Sequence, residues 1–324
     1  MAIPSGLSAQ LGIAEESTYG TPVTVTRFYE FTTESVQLEI ERIESQALRS
    51  GTRVQRSDRW SSGQKSVGGD VEMELANKSF GLWFKHMLGG VSSAQPDAGG
   101  NPTVWEHSFT PGDLPTSLTV QVGRTDVGGT TRPFTYHGCR VASWKIEAAV
   151  GEIAKVTATL LGEDEDTATG LASASYPSSL TLMTFVNGVL SLGGSAHDVT
   201  SFSLEGDSGL AADRYFLGSQ LREVPLEAEF REYTGELETE FQDLTAYNRF
   251  VNGTEAALVL TFTGAAISGA FNFATVITAN VRFDGETPTV GGAEIIEQPL
   301  AYKCLGNTSA SALTVLYRTT DTTP

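Results

Sequence analysis

The chain has little of three things: cysteine, basic side chains and long apolar runs. Its 324 residues include 21 Lys and Arg against 39 Asp and Glu, which leaves a formal net charge of −18. This excess argues against a surface that binds nucleic acid or an anionic membrane, because both need clustered Lys and Arg. The apolar runs are far shorter than a membrane-spanning helix. The N-terminus lacks the basic and apolar regions of a secretory signal.

The two cysteines are Cys139 and Cys304. Without a secretory signal they are expected to be reduced thiols of a protein folded in the cytosol, not a disulfide. Their spacing is close to the repeat distance described below, which predicts that they occupy equivalent places in two repeats.

Residues that could carry catalysis or bind a metal are present but scattered. The four histidines form no His-x-x-x-His pair, so no zinc site is expected. Gly206–Gly209 has the Gly-Asp-Ser-Gly sequence of trypsin-like nucleophiles, but His197 lies too close before Ser208, and a strand end entering a loop is favoured. Glu163–Asp166 could attract calcium, yet it lacks EF-hand spacing, which favours a solvated linker. No enzyme activity, metal or cofactor is predicted.

The stretch Gly69–Gly90 changes its hydrophobic period part-way along. Its first part alternates apolar with acidic residues, which predicts a strand with one face of each kind. The apolar residues are Val71, Met73 and Leu75, and the acidic ones are Asp70, Glu72 and Glu74. Apolar residues then recur at helical spacing from Phe80 to Leu88. They predict a short helix capped by Asn77 or Ser79 and ended by Gly89.

A second stretch repeats this pattern. Gly235–Phe241 alternates apolar residues with glutamates, and a helix capped by Asp243 or Thr245 and ended at Gly253 is predicted to follow. The glutamates are Glu236, Glu238 and Glu240. Gly235 follows Gly69 at the same distance along the chain at which the segment 200–207 follows the matching segment 34–41. An internal duplication with this repeat distance is therefore predicted.

Most other periodic segments have a period of two and are rich in β-branched and aromatic residues, so the chain is predicted to be mainly antiparallel β with one short helix per repeat. The predicted organisation is an extended N-terminal arm (1–27), a first repeat (28–165), a linker (166–179) and a second repeat (180–324). Residues 91–116 are expected to be a Pro/Gly/Ser-rich insertion that the second repeat lacks.

Residues 42–65 form a long polar segment whose charge is opposite to that of the whole chain. It has six basic residues against two acidic ones. Because it is too long for an ordinary connection inside a compact domain, it is either a protruding hairpin or disordered. Docking on an acidic neighbour is favoured over a solvated, mobile loop. The candidate contact residues are Arg42, Arg49, Arg53, Arg56, Arg59 and Lys65.

Four segments carry a resemblance to a known family: Glu15–Pro22, Arg53–Arg59, Gly69–Leu75 and Ala246–Gly253. Over nearly its whole length the chain resembles the major tail, or tail tube, proteins of long-tailed bacteriophages. This resemblance implies a structural protein of the virion tail, assembled in the host cytoplasm, without enzyme activity. In that family each tube domain is a β-sandwich flanked by a helix, six domains form a ring, and stacked rings form the tube.

A duplicated chain of this family implies two tandem β-sandwich tube domains and rings of three chains with pseudo-sixfold symmetry. If each domain adds four strands to an inner barrel, about 24 strands spaced ~4.8 Å and tilted ~40° enclose a backbone diameter on the order of 45–50 Å. The implied partners are other copies of the chain, a tape measure protein, and tail tip and terminator proteins. DNA would pass through without tight binding.

Two hypotheses concern the charged segments. The acids Asp70, Glu72, Glu74, Glu236, Glu238 and Glu240 would line the bore and repel DNA, the alternative being that they point outward and serve solubility. The basic segment 42–65, with the arm, would contact the next ring. The rival function is a receptor-binding or adhesive β-sandwich protein of a virion surface or tail fibre, but a duplicated chain suits a closed ring better.

Overall fold

The structure is a computed structural model that describes residues 6–285, 287–293, 295–307 and 311–324. Within these ranges the chain is mainly antiparallel β with two short α-helices, so the predicted fold class is confirmed. The first half of the chain contains β1 (Gln10–Glu16), β2 (Arg27–Tyr29), β3 (Thr33–Glu34), β4 (Gln37–Glu44), β5 (Trp60–Glu74), α1 (Gly81–Leu88), β6 (Gly89–Ala94), β7 (Trp105–Pro111), β8 (Ser117–Thr125), β9 (Thr131–Ala149), β10 (Lys155–Gly162) and β11 (Asp164–Asp166). The second half contains β12 (Gly188–Leu192), β13 (Ser195–Ala196), β14 (Ser201–Asp207), β15 (Glu232–Glu240), α2 (Leu244–Asn252), β16 (Ala256–Ser268), β17 (Phe271–Phe283), β18 (Glu297–Cys304) and β19 (Leu313–Thr319).

The strands of the first half form two groups that share β9. The N-terminal part of β9 pairs with β8 and β11, and β8 continues to β1 and β2. Its C-terminal part pairs with β10, which continues to β5 and then to β3 and β4. Gly138, with φ of 64°, lies near the change of partner. A residue in the left-handed region there lets one strand bend from one group into the other.

The second half has the same order of pairing, with β17 in the place of β9. β17 pairs with β16 and β19, and β16 continues to β12 and β13. The end of β17 pairs with β18, which continues to β15 and β14. Each helix lies in the chain between two strands that belong to different groups. α1 lies between β5 and β8, and α2 lies between β15 and β16.

Among the described residues, two pairings between named strands join the halves, together with isolated bridges from Ala76 to Leu182 and from Ile153 to Thr184. β14 pairs with β9 from Ala149 opposite Ser201 to Ser143 opposite Asp207. β19 pairs with β7, so Val315 of the second half lies opposite Phe109 of the first. β7 and most of its partner β6 lie in the region 91–116 that is expected to be an insertion, and this region contains a β-hairpin.

The register corrects one part of the predicted repeat. Val71 lies opposite Glu34, and Leu237 lies opposite Phe202. Val71 and Leu237 are separated by the predicted repeat distance, whereas Phe202 lies two positions farther from Glu34 than that distance. The single repeat distance is therefore wrong by two positions for the strand that pairs with β5 in the first half and with β15 in the second. A shift of two keeps every side chain on its own face, and the alternation is unaffected.

The cysteines are free thiols, as expected, and both are buried. Cys139 lies in β9 and Cys304 in β18, whose counterpart in the pairing order is β10. Their predicted equivalence is therefore wrong. Burial raises the pKa of the Cys304 thiol to about 12.

The hydrophobic core fills the space between the two groups of strands. Seven of the eight residues of α1 are buried. Phe84 contacts the rings of Phe80, Phe109 and Tyr317, with centroids 5.7–6.2 Å apart, so α1 is covered by residues of both halves. Residues 10–16, expected in an extended arm, form β1, which pairs with β8 along its whole length.

The predicted helix ends are correct for α2 and partly wrong for α1. Asp243 accepts a hydrogen bond from the Thr245 N–H at 2.6 Å, and Gly253 is left-handed, as expected. α1 ends at Gly89, but its N-terminus has no side-chain cap. The oxygen of Asn77 instead accepts a hydrogen bond from the Thr181 N–H at 2.9 Å, which ties the helix start to the beginning of the second half.

Candidate functional site: an acidic sheet face and a basic hairpin

The six carboxylates predicted as one functional set lie on one face of a continuous sheet. This long sheet has the order β4–β5–β10–β9–β14–β15–β18. The residues that alternate with the six, such as Val71, Met73 and Leu237, are fully buried on the opposite face. Because successive side chains of a strand point to opposite faces, the carboxylates point away from the core. They are Asp70, Glu72 and Glu74 on β5, and Glu236, Glu238 and Glu240 on β15.

The register connects the two groups of carboxylates. Residues directly opposite each other on neighbouring strands share a face. One such row crosses five strands through Glu74, Lys155, Glu147, Ser203 and Glu236. The acids of both halves therefore belong to one surface, here called the acidic face.

Six further carboxylates on the acidic face escaped the sequence prediction: Glu39, Glu147, Glu205, Asp207, Glu232 and Glu297. The signal was present, because residues 143–149 and 201–207 alternate in the same way. With the six predicted acids there are twelve carboxylates against three lysines, Lys145, Lys155 and Lys303, which gives these side chains a formal charge of −9.

Each lysine of the acidic face is held by a carboxylate. Lys145 Nζ lies 2.6 Å from Glu147 and 3.1 Å from Glu205, and the hydrogen bond to Glu147 raises the pKa of the lysine. Lys303 lies 2.6 Å from Glu232 and Lys155 lies 3.7 Å from Glu72. Exposed pairs of this kind add little stability, but they leave no lysine of this face free of an acidic neighbour.

Both outer edges of the long sheet are open within the described part of the chain. β4 pairs with β5 and with no other described strand. At the other end β18 pairs with β15 along its length but with β17 only over its last three residues. Unpaired edge strands present free N–H and C=O groups to a further strand.

The segment 42–65 is a protruding β-hairpin, here called the basic hairpin. β4 and β5 stay paired as far as Glu44 opposite Trp60. β10 covers β5 only as far as Val67, so the two-stranded ribbon extends past the end of the sheet. Apolar side chains on it are exposed, by 101% for Leu48 and 79% for Val54.

The six basic residues of this segment have different surroundings. Arg49, Arg53 and Arg59 form no side-chain hydrogen bond or ion pair with the described residues, whereas Arg56 pairs with Asp58 at 2.7 Å. The Arg42 guanidinium lies 5.4 Å from the Trp60 ring centroid. Lys65 lies at the base and pairs with Asp164 of the same chain at 3.0 Å. The five arginines therefore form the exposed basic surface.

The opposite end of the long sheet is acidic and partly apolar, and is here called the acidic rim. It contains the β9–β10 turn and the segment that hydrogen-bonds to it, where the Phe185 N–H donates to the Glu152 carbonyl. Val150 and Val186 are 62% and 74% exposed there. The exposed carboxylates of this rim are Glu152, Asp198, Glu240, Asp243 and Glu297.

The other candidate chemistry separates in space. Ser208 is 1% exposed, and its hydroxyl donates to the Val141 carbonyl at 3.2 Å. His197 precedes β14 and Ser208 follows it, so a seven-residue strand of roughly 20 Å separates them. In the acidic cluster, Asp164 pairs with Lys65 and Asp166 accepts hydrogen bonds from Ala168 and Thr169. No group of three metal-ligating side chains occurs among the described residues.

Comparison with known proteins identifies the family of the chain. The model of the family described as phage tail tube protein matches residues 6–304. No curated protein matches the chain. In the ranges that the structure describes, no helix has both the length and the apolar character needed to cross a membrane. The chain belongs to the phage tail tube protein family and is a structural protein of the virion tail.

Proposed function

We propose that three chains form a ring with pseudo-sixfold symmetry and that stacked rings form the tube through which phage DNA passes. The observation that carries this proposal is the long sheet, in which strands of both halves are continuous and present one acidic face. The repeated pairing order supports two tube domains, with boundaries at about residues 28–165 and 180–324.

Ring closure would reuse the junction already present inside the chain. There, β9 of the first half pairs with β14 of the second half. The strand of the first half that corresponds to β14 is β4, and its free edge would pair with the β17–β18 end of a neighbouring chain. If β17, which pairs with the end of β18, is counted as the eighth strand, each half contributes four strands, and three chains give the about 24 strands of a barrel on the order of 45–50 Å across. Closure would also remove both open edges.

The acidic face would line the bore. Double-stranded DNA carries one negative charge per ~1.7 Å of its axis and binds wherever cations are aligned. A surface with twelve carboxylates and three paired lysines gives DNA no such row of cations. The same bore would hold a tape measure protein before DNA enters, and its ends would meet tail tip and terminator proteins.

Electron microscopy of the purified protein tests ring formation. We expect annuli and tubes, with threefold symmetry in ring averages and the acidic face toward the hole. Monomers or compact trimers without a hole would contradict the proposal and would favour the receptor-binding alternative.

Charge reversal on the acidic face tests the bore. In assembled tubes, Glu72→Lys, Glu236→Lys and Glu238→Lys together should retain short duplex DNA at low salt and release it at high salt, because the release of counterions drives such binding. The control reverses three exposed acids outside this face, Glu30, Asp113 and Glu255. Equal DNA retention by both variants would show that the face does not line the bore.

Stacking would bring the basic hairpin of one ring onto the acidic rim of the next. The ribbon extends past the sheet in the strand direction, and the acidic rim lies at the other end of the same strands. The two surfaces are opposite in charge, and both expose apolar side chains. Complementary charge favours correct register between the rings. Deleting residues 46–62 should leave single rings or soluble chains.

A cysteine pair tests this contact directly. Leu48→Cys combined with Val186→Cys should give disulfide-linked ladders in tubes under mild oxidation, since both native cysteines are buried. The control combines Leu48→Cys with Val127→Cys, another exposed valine that lies outside the acidic rim. Tubes that give no ladder with Val186→Cys, or an equal ladder with the control pair, would overturn the proposed contact.

A further inference from the structure

The loop 208–231 connects β14 to β15, as the basic hairpin connects β4 to β5. The two connections hold equivalent places in the pairing order but have different conformations. The basic hairpin protrudes, whereas the loop 208–231 lies against the first half of the chain. It contacts β5 along the stretch where β10 has ended.

The loop satisfies main-chain groups at this free edge of β5. The Gln220 carbonyl accepts the Lys65 N–H at 2.9 Å, and the Gln220 side-chain amide donates to the Ser62 carbonyl at 2.9 Å. The Tyr215 hydroxyl donates to the Lys65 carbonyl at 2.8 Å. The base of the basic hairpin is therefore held on one edge by β4 and on the other by the loop.

Arg222 joins the loop to the ends of two strands. It is 5% exposed, and its Nη1 donates to the Val67 carbonyl at 3.3 Å and to the Gly162 carbonyl at 2.9 Å. No carboxylate of the described residues forms an ion pair with it. A buried cation is costly unless its donors are satisfied. Here two main-chain carbonyls at the base of the hairpin accept from Nη1, whereas the buried Nε has no hydrogen-bond partner among the described residues.

The loop is itself fixed to the first half. Arg140 Nη1 donates to the Pro225 carbonyl at 2.8 Å, and Arg231 Nη1 donates to the Leu88 carbonyl at 2.8 Å. Within the loop, Leu210 and Glu227 form an isolated β-bridge. Contacts of this kind give the loop a defined position from which to hold the ribbon.

We propose that the loop 208–231 fixes the direction of the basic hairpin, with Arg222 as its main positioning residue. A two-stranded ribbon alone is only marginally stable in water. A partner that bound a freely moving ribbon would have to order it and bear the entropic cost. The loop instead holds the ribbon before any partner arrives. The use of that ribbon in stacking rests on the proposed function, but its position within one chain does not.

Hydrogen exchange of the unassembled chain tests the proposal. Arg222→Met removes the donors and keeps an apolar side chain of similar length. We expect amide exchange at Lys65 and in residues 60–66 to rise about tenfold, while strands β16 and β17 keep their protection, because local opening exposes only nearby amides. Tyr215→Phe removes a single hydroxyl and should raise exchange about threefold at the same amides.

The matched control is Arg132→Met, since Arg132 is 62% exposed and pairs with Asp126 of the turn between β8 and β9. It should leave exchange in residues 60–66 unchanged. If Arg222→Met unfolds the chain, Tyr215→Phe decides. Unchanged protection of Lys65 in Tyr215→Phe, or the same increase in Arg132→Met, would overturn the proposal. Tube formation by the native protein is scored separately, so failure of the loop's role and failure of the tube are distinguishable.

Discussion

The two helices show how the halves of the chain reach stability differently. α1 has seven buried residues and no side-chain cap, whereas α2 has one buried residue, an Asp243 cap and a left-handed Gly253. The difference follows from the strands that pack against each helix. The β6–β7 hairpin, which the second half lacks, and β19 both pack beside α1. Tertiary packing therefore determines α1, and local signals determine α2.

The largest expected effect comes from equivalent phenylalanines. Phe84 and Phe250 are separated by the repeat distance, but Phe84 is 1% exposed and Phe250 only packs against the edge of the core. Phe84→Ala should lower the free energy of unfolding by about 3–5 kcal/mol, because it leaves a cavity among aromatic rings. Phe250→Ala should cost about 1 kcal/mol. Urea unfolding measures both losses, and equal losses would contradict the expected difference between the two helices.

The glycines that follow the helices give the next largest difference. Both have positive φ, 94° at Gly89 and 62° at Gly253. A Cβ at Gly89 would clash with the carbonyls of Gly112 and Asp113, whereas nothing lies near a Cβ at Gly253. Gly89→Ala should cost about 2–4 kcal/mol from strain and overlap, and Gly253→Ala about 1 kcal/mol from strain alone. A larger loss at Gly253 in thermal and urea unfolding would contradict this ranking.

Asn77 and Asp243, which precede the two helices, are also separated by the repeat distance, so the same substitution can be compared at both positions. Asn77→Ala removes a buried side-chain oxygen that accepts from the Thr181 N–H and should cost about 1–3 kcal/mol. Asp243→Ala removes an exposed cap and should cost about 1 kcal/mol. Asp243→Asn serves as the control, since it keeps the cap acceptor and should cost less. Urea unfolding followed by circular dichroism measures these losses. A smaller loss for Asn77→Ala than for Asp243→Ala would contradict the expected order.

The sequence predicts what depends on neighbouring residues. Period-two alternation places all six acids on one face, and the Asp243 cap and Gly253 end follow from local patterns. Alternation could also have identified Glu147 and Glu205, but their strands carry fewer charges and were not singled out.

The features that the sequence does not predict depend on distant partners. Asn77 fits a cap by sequence, yet Thr181 takes its side chain. The β6–β7 hairpin forms in a Pro/Gly/Ser-rich segment because β19 pairs with it from the other half of the chain. The junction of β9 with β14 and the position of Arg222 likewise follow from pairing between the halves, which a single sequence does not reveal.

The smallest expected effect is a loss of unfolding free energy in acid, and it arises mainly in the first half of the chain. Glu15 lies 2.7 Å from Lys85 and 3.6 Å from His86, both on α1. The His86 imidazole and then the Lys85 ammonium lower the pKa of the Glu15 carboxyl to about 2, from an ordinary 4.5.

A pKa that is lower in the folded state stabilises the fold above about pH 4.5, and this contribution is lost as the pH falls toward 2. The free energy of unfolding of Glu15→Gln should thus lie below that of the native chain at pH 7 and converge with it near pH 2, by a modest amount because the carboxyl is 36% exposed. Glu30→Gln, at an exposed carboxyl outside the helix contacts, should show a constant difference across the same range. A Glu15→Gln difference that does not shrink with acid would mean that α1 gains its stability from packing alone.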